Sequence, residues 1–178
     1  MRWTMGRMPA MAMVMAAAAA MAMAVAPAVS AQMPSAPCAP PSGLAGWAHR
    51  HPVGAATRIG GSPVPELHLG DAVDLGLVPI AVLSVAAPLG KPPQESDHGG
   101  LVTFRATMSG TYRIALGSRA WIDVAQGGTP LASIGHAMGP ACAGIAKQVD
   151  FALAPGVYTI QLSAAADAVA PIEIVRLP

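Results

Sequence analysis

His136, Met138 and Cys142 stand close together in one Gly-rich stretch and carry imidazole, thioether and thiolate donors. A soft donor set of this kind suits copper. The order runs against it, since cupredoxin-like sites place the cysteine before the closing histidine and methionine. A Cys142 tied into a disulfide would also have no thiolate to give. His98 follows Asp97 and precedes Gly99-Gly100. Together with His136 and a carboxylate it would make the two-histidine, one-carboxylate set of iron oxygenases, although nothing in the spacing favours that. His49-Arg50-His51 offers two imidazoles at i and i+2 in an irregular segment, a weak chelate.

Trp121 and Asp123 alternate with Ala120, Ile122 and Val124, so on a strand they point away from the face those three bury. An outward tryptophan beside an acid is a possible ligand-binding surface, of the kind that stacks on sugars. The competing expectation is that Trp121 lies under the amino-terminal arm near Trp47. With aromatic residues only 4% of the chain, a broad sugar platform is hard to build, and covering is the favoured outcome.

Other chemistries lack their signatures. No strand–turn–helix nucleophile elbow is present. Gly60-Gly61 and Gly99-Gly100 lack the phosphate-loop motif and the helix that should follow it. No catalytic residue and no cofactor are therefore assigned, and the expectation leans away from an enzyme. Lys and Arg number 10 against 9 Asp and Glu. Without Arg2 and Arg7 the remainder is close to neutral and has no basic cluster, which gives no reason to expect nucleic acid as a partner.

The segments that must position these residues begin with an export signal. Arg2 and Arg7 precede an uncharged run of mostly Ala, Met and Val from Met8 to Ala26; Pro27 breaks it, and Val29-Ser30-Ala31 ends it in small residues. That order marks a secretory signal peptide over residues 1–31, cleaved after Ala31. An uncleaved anchor is the alternative, but Ala is weakly apolar and Pro9 and Pro27 shorten the usable helix. The mature chain is then expected in the periplasm or outside the cell, touching the membrane only through the signal segment before cleavage. The leader holds most of the 11 methionines. In an oxidising compartment the two cysteines, Cys38 and Cys142, are expected to pair.

Residues 32–65 are dense in Pro, Gly, Ala and Ser and read as an extended arm, with Cys38 and Trp47 as its anchors. Residues 66–178 show short apolar runs between turn residues, the pattern of an all-β domain. Val73 to Ala87 reads as buried strand that Pro79 forces to bend or to lie at an edge. Val102/Phe104/Ala106, Tyr112/Ile114/Leu116, Ala120/Ile122/Val124, Phe151/Leu153 and Tyr158/Ile160/Leu162 alternate with more polar neighbours, Leu131 to Ile134 reads as a return strand, and Ile172 to Leu177 closes the domain. Gly127-Gly128 is a hairpin turn. Two segments echo one another as Gly-x-Tyr-x-Ile-x-Leu, from Gly110 and from Gly156, each after a Val-x-Phe run. Read as two hairpins with each Tyr hydroxyl at the rim, they predict a jelly-roll-like sandwich of two antiparallel sheets.

The stretch from Gly110 to Leu177 resembles the bacterial pre-peptidase C-terminal type of β-sandwich. The chain is also similar to small exported proteobacterial proteins with a Trp-Ile-Asp-Val strand and a His, Cys, Lys segment, here Trp121-Ile122-Asp123-Val124, His136, Cys142 and Lys147. The resemblance implies fold and export and says little of activity. The expected function is a non-catalytic envelope module, structural or binding a protein or a glycan. The alternative is a metal-binding protein or an oxygenase-like enzyme using His98 and His136.

Overall fold

The computed structural model describes residues 38–178 apart from Ser62, so the signal peptide expected over 1–31 lies outside the described residues, as does the start of the arm. Strands run in chain order as β1 (His51–Gly54), β2 (Glu66–Leu67), β3 (Ala72–Gly76) and β4 (Val78–Pro79). Then come β5 (His98–Ala106), β6 (Gly110–Leu116), β7 (Trp121–Gln126) and β8 (Thr129–Leu131). The last four are β9 (Gly135–Met138), β10 (Lys147–Leu153), β11 (Gly156–Ala165) and β12 (Val169–Arg176). They form an all-β sandwich: one sheet in the order β1-β3-β12-β6-β10-β9, the other β2-β5-β11-β7-β8 with β4 paired onto β5. The alternating residues meet between the sheets, where Phe104, Tyr112, Ile114, Phe151, Tyr158, Ile160 and Ile172 are buried in one core.

Both sheets are mixed rather than purely antiparallel, because β1 runs parallel to β3 and β2 parallel to β5. The chain visits the second sheet as β2 between β1 and β3, and a strand that returns after such a crossover comes back in its original direction. Other departures from expectation are local. Val73 to Ala87 is strand only as far as Gly76 and at Val78–Pro79, after which Ile80–Val82 makes a 3-10 turn, as the bend at Pro79 requires. Of Leu131 to Ile134 only Leu131 is strand. Gly127 and Gly128, with φ of 57° and 82°, supply the left-handed pair that the tight β7–β8 turn needs.

The two Gly-x-Tyr echoes are not hairpins. β5 belongs to the second sheet and β6 to the first, while β10 belongs to the first and β11 to the second. Each link crosses the sandwich, and each echo strand pairs with the other copy's Val-x-Phe strand: Tyr112 lies opposite Phe151, and Tyr158 opposite Phe104. Both corners are closed alike. Tyr112 Oη donates to the Met108 carbonyl at 2.7 Å and Tyr158 Oη to the Ala154 carbonyl at 2.8 Å, each four residues back. These are the polar partners a buried phenol requires.

Both outer faces are partly covered. The connection from β4 to β5 crosses the second sheet, where buried Gln161 accepts from the Ala86 and Ala87 amides and donates to the Ala87 carbonyl at 3.1 Å. On the first sheet, Leu44 and Trp47 of the arm pack with Ala72, Ala115, Ile145 and Val175 as a second small core. Trp47 Nε1 donates to the Ala143 carbonyl at 2.8 Å. Cys38 and Cys142 are bonded, with Cα atoms 5.3 Å apart.

Glu173 sits beneath this arm. It is fully buried on β12; its Oε1 accepts from the Gly46 amide at 3.2 Å, and its Oε2 has no partner. Burial pushes its pKa up, the Gly46 and Trp47 amides pull it partly back, and the charge of Asp71 adds to the rise. The folded chain therefore holds this proton more tightly than the unfolded chain does. The contribution to stability is complete below the ordinary value of 4.5 and is lost as pH rises through the elevated one. Glu173→Gln removes the ionisation, so its melting temperature relative to wild type is expected to rise as pH moves from below 4.5 to neutrality. Thermal melts across that range check this, and a difference that stays constant with pH would refute it.

Candidate functional site

Sheet order decides where chemistry can gather. β9 and β10 end the first sheet and β7 and β8 end the second, and between them an open cleft of about 250 Å³ enters the side of the sandwich. Its floor is apolar, with Ile122 and Val149 at the edge of the core; its rim carries Trp121, Met138, Lys147, His136 and Ser133. The register explains the set. His136 lies opposite Val149 and Met138 opposite Lys147, and opposed residues project to the same side of a sheet.

Trp121 is 39% exposed. The expectation that the arm covers it beside Trp47 is wrong, because the arm packs on the first sheet while Trp121 belongs to the second. Its orientation is nonetheless fixed. Nε1 donates to Asp123 Oδ1 at 3.0 Å, and the two Asp123 oxygens also accept from the Gly90 amide at 3.3 and 3.2 Å. A Cβ at position 90 would stand 2.7 Å from Trp121 Nε1 and from Asp123 Oδ1, so the loop fits against this pair only as glycine. Asp123 thus serves to hold the indole and the loop.

Lys147, which the sequence marked only as part of the His, Cys, Lys segment and gave no role in a site, is part of the cleft. It continues the inward row of Val149, Phe151 and Leu153 on β10, where the core ends and the cleft begins. Its Nζ lies 5.7 Å from the centre of the Trp121 ring, within reach of a cation–π interaction. Burial chiefly lowers its pKa, the neighbouring charge of Lys91 lowers it further, and Asp123 opposes both. A lysine placed in register with core residues was the available signal.

The sequence candidates separate accordingly. Trp121, Asp123 and His136 come together, with Asp123 behind the indole. Within the Gly-rich stretch, His136 and Met138 belong to a strand, β9. Cys142 is consumed by its bond to Cys38 and offers no metal a thiolate. His98 is half-buried at the start of β5 with Nδ1 unpartnered, in the other sheet from His136. Among the described residues no three His, Cys, Asp or Glu side chains converge as a metal site would require. In His49-Arg50-His51 the arginine is structural: it bonds Asp74 at 2.8 Å and the Trp47 carbonyl at 2.7 Å. A larger hollow of about 420 Å³ near Arg58 is lined mainly by loop residues and has no aromatic. Among the described residues, the Trp121 cleft combines an oriented aromatic face, a cation and hydrogen-bonding groups. No protein-family model matches the chain, and no curated protein matches it.

Proposed function

We propose that this is an exported, non-catalytic envelope protein, periplasmic or secreted, that binds a glycan at the Trp121 cleft. The observation that carries this reading is a half-exposed indole, locked by Asp123 and Gly90, at the mouth of an open cleft. A sugar ring presents a flat apolar face to such an indole and hydroxyls to its neighbours, here His136 and Ser133. A tryptophan held in place beforehand loses little freedom on binding, which favours affinity. The Cys38–Cys142 bond is consistent with an oxidising compartment.

The exported protein is expected to bind a subset of glycans on an array, and Trp121→Ala to weaken that binding by roughly tenfold or more, on the order of 1.4 kcal/mol. Its fold should survive, because the ring lies outside both cores. Absence of glycan binding by the wild type, or full binding by the variant, would refute the reading.

A further inference from the structure

We infer that the glycan held at this cleft is acidic, and that Lys147 receives the carboxylate of a uronate-type sugar. The inference rests on the glycan reading above and deepens it. Lys147 reaches the cleft from the inward row of β10, beside the apolar surface of Val149 and Ile122. Among the described residues it has no salt-bridge partner; the ion pairs present are Arg50–Asp74, Arg105–Glu66 and Arg113–Asp150. Asp123, the acid whose charge acts on it, is already engaged by the Gly90 amide and by Trp121 Nε1.

An ammonium drawn out of water without a counter-ion is costly to keep. Lys91 adds to the cost, since its positive charge acts on the same amine. Two cations offset by one acid leave room for a single negative charge in the ligand. The Trp121 ring lies 5.7 Å from that ammonium, so one pyranose can lie against the indole with an exocyclic carboxylate directed to Lys147. A lysine is a point charge that also accepts sulfate. Sulfated sugars share the chemistry, and the experiment separates them.

Calorimetric titration of the exported protein with oligomers of galacturonate, glucuronate and mannuronate, each beside its methyl ester and a sulfated neutral oligosaccharide, tests this. The expected result is that at least one uronate binds roughly tenfold or more tightly than its ester, and that added salt erodes the preference. Lys147→Met should abolish the preference, so that the variant binds acid and ester alike. Methionine keeps the stem's bulk in an apolar setting, and a retained melting temperature confirms that the variant is folded. If acid and ester bind equally through Trp121, or if Lys147→Met keeps the preference, the acidic assignment falls and the glycan reading stands. Tighter binding of the sulfated sugar overturns the carboxylate assignment. If no oligosaccharide of either charge binds, both readings fall together.

Discussion

Replacing Cys38 and Cys142 together by alanine is expected to lower the free energy of unfolding by about 2–5 kcal/mol. The bond closes a loop across a sequence separation of 104 residues. On the chain-entropy account a loop of that length contributes about 4.7 kcal/mol by limiting the unfolded ensemble. The folded state adds a local reason for a large loss. The Cys38 amide donates to the Cys142 carbonyl at 3.2 Å, and Trp47 Nε1 donates to the carbonyl of Ala143, the next residue. Without the covalent tie, these bonds and the small core around Leu44 and Trp47 must hold the arm alone. Arm release uncovers Trp47, so its fluorescence should shift to the red at lower denaturant than the loss of β-sheet signal. Paired urea titrations of wild type and the double variant measure the effect. A loss below about 1 kcal/mol, short of the range for native bonds, would show that the arm is held by packing and not by the bond.

The same arm shows why some of the fold was legible in the sequence and some was not. Alternation identified Val102, Phe104, Tyr112, Ile114, Phe151, Leu153, Tyr158 and Ile160 as inward-facing, and all are buried. Period-two patterning reports the face of a strand. It does not report which sheet the strand joins, so the two Gly-x-Tyr units read equally well as hairpins or as links that cross the sandwich. Trp47 and Trp121 failed to meet for the same reason, since nothing local to either residue states that Trp47 packs on the first sheet while Trp121 belongs to the second. β9 was hidden because Gly-His-Ala-Met has little strand propensity of its own and pairs only with β10 at the sheet end.

The candidate site follows this division. Trp121 and Asp123 could be singled out by residue type and by their outward register. The cleft could not, because its other wall comes from β9 and β10, distant in sequence and in the other sheet. Lys147 was visible as a charged residue in an apolar row, and it gains meaning only where that row runs past the core to face Trp121.

Phe104→Ala is expected to cost about 3–5 kcal/mol, and more than the same change at Phe151. Both are buried and both follow a Val-x-Phe pattern, so sequence alone gives them equal weight. The structure does not. The Phe104 ring lies 5.6 Å from that of Tyr158, its register partner, and 6.0 Å from that of Tyr112, which reaches it from the other sheet. Phe104 thus joins both crossing links at one point, and truncating it opens a cavity between two tyrosines whose hydroxyls are anchored to Met108 and Ala154. Those anchors resist collapse into the gap, and a cavity that cannot collapse is the more costly kind. Phe151 is opposite Tyr112 in register, but among the described residues no ring pairing of this kind involves it, so its loss should fall lower in the range. A double-mutant cycle sharpens the comparison: Phe104→Leu with Tyr112→Leu should show a coupling of about 0.5–1.5 kcal/mol, read by denaturant unfolding. Equal costs at Phe104 and Phe151, together with additive effects at Phe104 and Tyr112, would mean that the two links are stabilised separately and that the aromatic cluster between the sheets does not couple them.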